Sequence, residues 1–400
     1  MTCQRRQGYD MTIQSCLFAS NNRIHDMILI QYTLVLLGMA VCTNVYSQYE
    51  NSFFDNDKYE QYIDSSNLQF HFDNMSYFRN VEYLSRVDKG STYIGTQVMP
   101  YVQYAFNEKA QIYAGFNLRY DFGNPEIQSI EPYFKFTFKD ILKHNIVFGS
   151  LNGTLQHGMI EPLYDYEKVI TDRFEQGLQI TKPGKRLTYD IWIDWHDMIY
   201  YNDPKNERFV AGYNVYLNLV NKNKNRLSLN AQGLTVHSAG EIDINSSPNS
   251  VEYNFAYGLE YTHFFNKHTH LYMAGHSAFY EDRSNNKVNG FIDGVGQLGV
   301  LRLTHKDYQF VLNYWDSHQY QGPWGEQLYH SVGIKNFPVV HDYRKMIGAR
   351  VGYEVKIGEN LFFLNRLGFN YNIHPDKLDI TMENYLRWHF RTKKRKVTLY

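Results

Sequence analysis

The chain has 400 residues, of which 43% are apolar and 16% aromatic, including 35 tyrosines and 26 phenylalanines. Its mean hydropathy of -0.50 excludes a polytopic helical membrane protein. The near balance of 40 basic and 41 acidic side chains leaves no electrostatic footprint for nucleic acid.

All three cysteines, Cys3, Cys16 and Cys42, precede residue 48, so later residues can form neither disulfides nor thiolate metal sites. Residues 28–41, ILIQYTLVLLGMAV, are apolar, but Gln31 and Thr33 interrupt them and they fall short of the roughly 20 residues of a spanning helix. Val45 and Ser47 suit a cleavage after Ser47, so 1–47 reads as a leader with a secretory signal peptide. Translation from Met11 or Met27 would shorten it. Val41 is a poor neighbour for lipidation at Cys42, and the plain cleavage is favoured. Residues 48–67 are polar and irregular, a periplasmic lead-in.

Period-two segments follow to the end of the chain. In 110–122, Ala110, Ile112, Phe116, Leu118 and Phe122 share one parity, and Gln111, Asn117, Arg119 and Asp121 the other. In 378–391, Leu378, Ile380, Met382, Leu386, Trp388 and Phe390 oppose Asp379, Glu383, Arg387 and His389. Side chains alternate faces along a strand, so one face is greasy and the other wet. The predicted strands are 68–85, 91–107, 110–122, 127–139, 145–156, 173–182, 186–198, 208–220, 226–236, 251–265, 269–281, 291–304, 308–316, 342–356, 360–372 and 378–391. The tight turns near 107–109, 183–185, 221–225, 266–268, 305–307 and 358–360 alternate with longer connections, such as 157–172, 199–207, 237–250, 282–290 and 317–341. Short periplasmic turns and longer outside loops are the habit of outer-membrane barrels. The expected fold is therefore all-β, a transmembrane antiparallel β-barrel of about 16 strands, with 14 or 18 as alternatives, over 68–391. Residues 392–400 would be a periplasmic tail.

The export segment, the alternating strands and the aromatic excess resemble a bacterial outer-membrane β-barrel of porin-like kind. The junction Ser47-Gln48, the segment FDNMSYFRNVEY (72–83) and Ile193-Asp194-Trp195 resemble pieces of uncharacterised barrels of Bacteroidota. The resemblance implies a bacterial outer-membrane location, contact with outer-membrane lipid and insertion by the barrel-assembly machinery. It leaves oligomerisation open. No motif in it belongs to a catalytic or substrate-binding set.

Candidate sites are few. Gly294 to Gly299 matches GxGxxG, but strand-like residues follow where a dinucleotide site needs a helix. Asp190, Asp194 and His196 share a polar face, which suits pore lining more than a metal or proton site. His268 and His270 flank a turn and read as exposed. Glu161, Asp165, Glu167 and Asp172 make 157–172 acidic. By resemblance to general porins, whose third loop folds inward, they are the candidate pore constriction, favouring cations. Further candidate lining comes from Arg119, Glu131, Lys135, Arg350, Glu354, Glu383 and Arg387. Their mixed signs argue against strong ion selectivity.

The leading expectation is a porin-like channel for small hydrophilic solutes, with no enzymatic activity, cofactor or metal. The alternatives are a plugged barrel with a structural, assembly or polysaccharide-associated role and, ranked last, an outer-membrane hydrolase.

Overall fold

A computed structural model describes residues 51–54, 67–152, 157–222, 224–239, 249–285, 287, 290–333, 339–374, 376–392 and 395–396. The expected leader, its cleavage junction and most of the expected tail lie outside the described residues.

The strands are β1 (Asn67–Glu82), β2 (Ser91–Ala105), β3 (Ala110–Asp121), β4 (Ser129–Ile141), β5 (His144–Ser150) and β6 (Gln176–Lys182). They continue with β7 (Leu187–Asp197), β8 (Glu207–Lys222), β9 (Asn225–Ala239), β10 (Ser250–Asn266), β11 (Thr269–Asp282), β12 (Asp293–His305) and β13 (Tyr308–His318). Two short strands, β14 (Val332–Gly333) and β15 (Val339–Val340), pair with each other within the connection that follows β13. Then come β16 (Tyr343–Lys356), β17 (Leu361–Asn372), β18 (Lys377–Arg391) and the short β19 (Arg395–Lys396).

The sixteen long strands form one antiparallel ring. β13 pairs with β16 across the connection that carries β14 and β15, and β18 closes on β1 from His71–Arg391 to Glu82–Ile380. Closure matters because an unpaired strand edge in hydrocarbon leaves each backbone donor and acceptor unsatisfied, at several kcal/mol per group. The predicted strand at 145–156 stops at Ser150. Gly149 adopts φ +97°, and a Cβ there would stand 2.2 Å from the Phe134 carbonyl oxygen. The chain then turns inward, with the Leu151 N–H donating to the Glu175 carbonyl at 2.8 Å.

Parity behaves as alternation requires. On β18, Leu386, Trp388 and Phe390 are 40–45% exposed on the outer face, whereas Asp379, Glu383 and Arg387 are each 1% exposed inside. Those last values show that the lumen beside β18 is filled. Part of the filling is aromatic. Gly296 leaves a notch for Trp315, whose ring would lie 2.0 Å from an added Cβ, and Gly212 does the same for Trp192. Gly294 to Gly299 therefore lies within β12, with strand on both sides and a packing role for its second glycine.

The connection after β5 enters the lumen and carries a short helix, α1 (Lys168–Thr171). A turn at Asn51–Phe53 meets it there. Phe53 and Phe54 pack with Val169, Ile170, Met75 and Tyr385, and Arg387 donates to the Phe53 carbonyl at 2.8 Å. The connection after β13 supplies Tyr320, Leu328 and Tyr329, which pack on Trp315, Val81 and Val87.

Overpacking a filled core costs about 1–3 kcal/mol. Gly296→Ala should lower barrel stability by that amount in urea unfolding from lipid vesicles. Gly275→Ala, whose Cβ would meet nothing within 4 Å, should stay within about 0.5 kcal/mol of the parent. Equal stabilities would contradict the Trp315 notch.

Candidate functional site

The inward connection after β5 brings charged residues into a polar lumen, where each charge needs a partner. Glu161 receives Arg350 at 2.6 Å and the Tyr329 hydroxyl at 2.6 Å. Glu167 pairs with Arg79 and accepts the Tyr93 hydroxyl at 2.9 Å. Arg79 also reaches Glu383 at 3.2 Å, and Tyr166 donates to the same carboxylate. Arg173 lies 3.2 Å from Asp73, which Arg387 meets at 2.9 Å and His389 at 3.2 Å. Asp165 accepts the Glu167 N–H at 2.8 Å. Burial, with Glu167 beside it, raises the Asp165 carboxyl to about 7. Removing one member of such buried pairs typically costs about 3–5 kcal/mol. The connection after β5 is thus fastened to the wall strands β16, β18, β1 and β2, and Tyr329 ties the connection after β13 to it.

A second cluster centres on His157. Its Nε2 lies 2.6 Å from Glu175 and its Nδ1 2.7 Å from Asp190, and its ring stacks on Trp192 at 3.6 Å. Tyr164 donates to Glu175, and Gln179 donates to Asp190 at 2.9 Å. Burial disfavours the imidazolium, but the two carboxylates outweigh it and raise His157 to about 10. Fully enclosed, this group holds the loop in place.

The third cluster is half-open and sits at the long-loop end of β7. His196 Nδ1 is 3.7 Å from Asp172, and Lys168 Nζ is 3.8 Å from the same carboxylate. Trp324, from the other inward connection, stands edge-on to His196 at 5.3 Å. Lys168 lies 3.7 Å above the indole and the Arg208 guanidinium 4.9 Å from it. Here an imidazole, a carboxylate and two cations surround an aromatic platform.

At the short-turn end, β7 to β12 enclose a polar cavity of about 390 Å³, lined by Tyr216, Arg226, Glu260, Tyr272 and Arg302 and capped by Glu161 and Tyr164. Glu260 approaches His276 at 3.4 Å, and Arg302 stacks on Tyr272 at 4.6 Å.

The candidate constriction residues divide between two of these clusters: Glu161, Asp165 and Glu167 are in the loop-to-wall network, and Asp172 is at the outer mouth. Asp190, Asp194 and His196 share the lumen parity but part company, since Asp190 serves His157 and Asp194 accepts the Gln176 N–H at 2.7 Å. Arg119 pairs with Asp121 at 2.6 Å, Glu131 accepts Ser129 at 2.8 Å, Lys135 lies 5.2 Å over Tyr113, and Glu354 has the lumen parity near the short turns. His268 lies on the turn after β10, and the His270 ring tilts against Phe264 at 5.7 Å. Among the described residues no group of three or more His, Cys, Asp or Glu is arranged to hold a metal ion. His157, Glu175, Asp73, Arg79 and Arg173 belong to no catalytic or binding motif in the sequence. For Asp73 and Arg79 the signal was their parity in β1.

A group whose folded proton affinity is raised stabilises fully below its unfolded value, near 6.5, and that stability is lost as pH rises through about 10. The urea midpoint should therefore fall more steeply between pH 7 and about 10.5 in the parent than in His157→Gln. Parallel curves would contradict a charged His157.

The sequence model of the Lipid A 3'-O-deacylase-type family matches residues 55–395, nearly all of the barrel. No curated protein sequence matches the chain significantly. Among solved structures, a loop L8 deletion mutant of OmpT from Vibrio cholerae aligns at 9% identity and TM-score 0.49, covering 82% of this chain and 100% of that one. OccAB2 of Acinetobacter baumannii aligns at 11% identity and TM-score 0.49, covering 84% and 100%. An anion-selective porin from Comamonas acidovorans aligns at 8% and 0.47, covering 81% and 98%. The sixteen-strand closure rests on the strand pairing itself. The family match overturns the expectation of a barrel without enzymatic activity, which had rested on the lack of a recognisable catalytic motif. The chain belongs to the Lipid A 3'-O-deacylase-type family and is a closed barrel of the bacterial outer membrane.

Proposed function

We propose that this protein is an outer-membrane acyl-ester hydrolase acting on an acylated phosphosugar lipid of the outer leaflet, the lipid A class. The family match over 55–395 is the observation that carries the proposal. The filled lumen agrees with it, because a wall closed by two fastened loops serves a surface reaction better than solute passage.

In this reading the outer mouth is the reaction site. His196 takes a proton from water as the oxygen adds to the ester carbonyl, and Asp172 steadies the imidazolium. Lys168 and Arg208 stabilise the negative charge that develops on the carbonyl oxygen or hold a lipid phosphate. The tetrahedral species collapses by breaking the bond to the sugar oxygen, which takes the proton back from His196. The products are a free fatty acid and a sugar hydroxyl.

A porin-like channel for small hydrophilic solutes is the second reading. The polar cavity at the short-turn end favours it, since it is the remnant of lumen that a solute could enter. The ion pairs joining the loops to the walls weigh against it.

The test is incubation of the folded protein with lipid A vesicles, followed by mass spectrometry. The expected result is loss of one ester-linked acyl chain, with the rate reduced about 10²–10⁴-fold in His196→Gln and in the same direction in Asp172→Asn. Unchanged lipid would sink the hydrolase reading, and full activity in both variants would move the reaction away from the mouth.

A further inference from the structure

The outer faces of β17, β18, β1 and β2 interrupt the apolar wall. Ser76 and Thr96 lie opposite each other in register, with Ser76 donating to the Thr96 hydroxyl at 3.2 Å. Asn74 donates to the same Thr96 oxygen at 2.7 Å and to the Gln97 carbonyl at 3.1 Å. Across the closing seam, Asn384 lies opposite Phe78 on one side and Asn365 on the other, and Asn365 donates to it at 2.9 Å. All five have the parity of Phe72, Val98, Leu367 and Leu386, which is the outward one, and all sit near mid-strand.

Elsewhere the corresponding mid-strand outer positions are apolar or tyrosine: Phe116 on β3, Phe134 on β4, Ile191 on β7, Leu229 on β9, Leu259 on β10 and Ile347 on β16. Ser277 and Gln297, joined at 2.9 Å, are an isolated outward pair. An amide in hydrocarbon costs several kcal/mol unless every donor and acceptor is met. The bonds within the patch use one side of each amide and leave further hydrogen-bonding capacity facing outward.

We propose that this four-strand patch is a subunit interface at which a second copy of the chain docks across a two-fold axis. The chemistry of the patch favours a second copy. Amides and hydroxyls each carry donor and acceptor, and the five residues bear no charge, so the surface is complementary to itself, as an isologous contact requires. A purely apolar acyl chain would leave the amides unmet. A partner of opposite charge would find nothing to pair with.

The experiment uses the folded full-length barrel in mild detergent, with light scattering and native mass spectrometry. A dimer is expected. Asn74→Leu/Thr96→Val with Asn384→Leu should shift it to monomer, with at least a tenfold weaker association, while the barrel stays folded because these positions face lipid. Ser76→Cys should be captured as a dimer by a short bis-maleimide cross-linker, and Leu229→Cys, on another part of the wall, should not. A monomeric parent, a monomer retaining bound lipid, a dimer indifferent to the triple substitution or capture at Leu229→Cys would each overturn the proposal. A heteromer with another protein would do so as well.

Discussion

A β-sheet can enter hydrocarbon only if its last edge is paired, and in this chain that condition is met along the β1–β18 seam. Closure fixes parity at once, because a one-residue slip would put Asp73, Arg79, Glu383 and Arg387 into lipid and Phe72 and Trp388 into the lumen. It also sets a size, since sixteen strands enclose more space than wall side chains can fill. The two longest connections take up that space. They enter carrying carboxylates, phenols and guanidinium groups, so their entry is stable only where the wall presents partners, as Arg350 does for Glu161 and Arg79 for Glu167.

Seen this way, the buried charges belong to a fastening system rather than to a water-filled passage. His157 is the clearest case. Its two carboxylates come from different elements, Glu175 at the end of the inward connection and Asp190 on β7, and Trp192 covers its ring. The half-open group at the outer mouth differs, because His196, Asp172, Lys168 and Trp324 are drawn from three segments, and His196, Asp172 and Lys168 remain partly accessible above the buried Trp324 ring. A catalytic arrangement assembled in that way leaves no contiguous motif in the chain.

The sequence revealed the barrel because alternation is local. The parity of 378–391 and the rhythm of short and long connections were enough to give sixteen strands and the inward face of Glu383 and Arg387. The content of the lumen was not legible. Whether Glu161 stands free in a channel or sits against Arg350 depends on a contact between residues 189 positions apart, and no local pattern encodes that. The same holds for His157, which from sequence was one residue at the edge of a loop. The outward polar patch leaves one local trace in the chain, Asn384, which stands among the apolar residues of its parity in the last long strand. Its partners on β1 and β17 appear only once the ring is closed.

Planar-bilayer recording of the folded protein tests the central claim, a barrel whose lumen is shut by its own loops, most directly. The account predicts a silent membrane, with no stable conductance steps from correctly inserted protein. Regular steps of uniform size would contradict it and return the chain to the family of open channels.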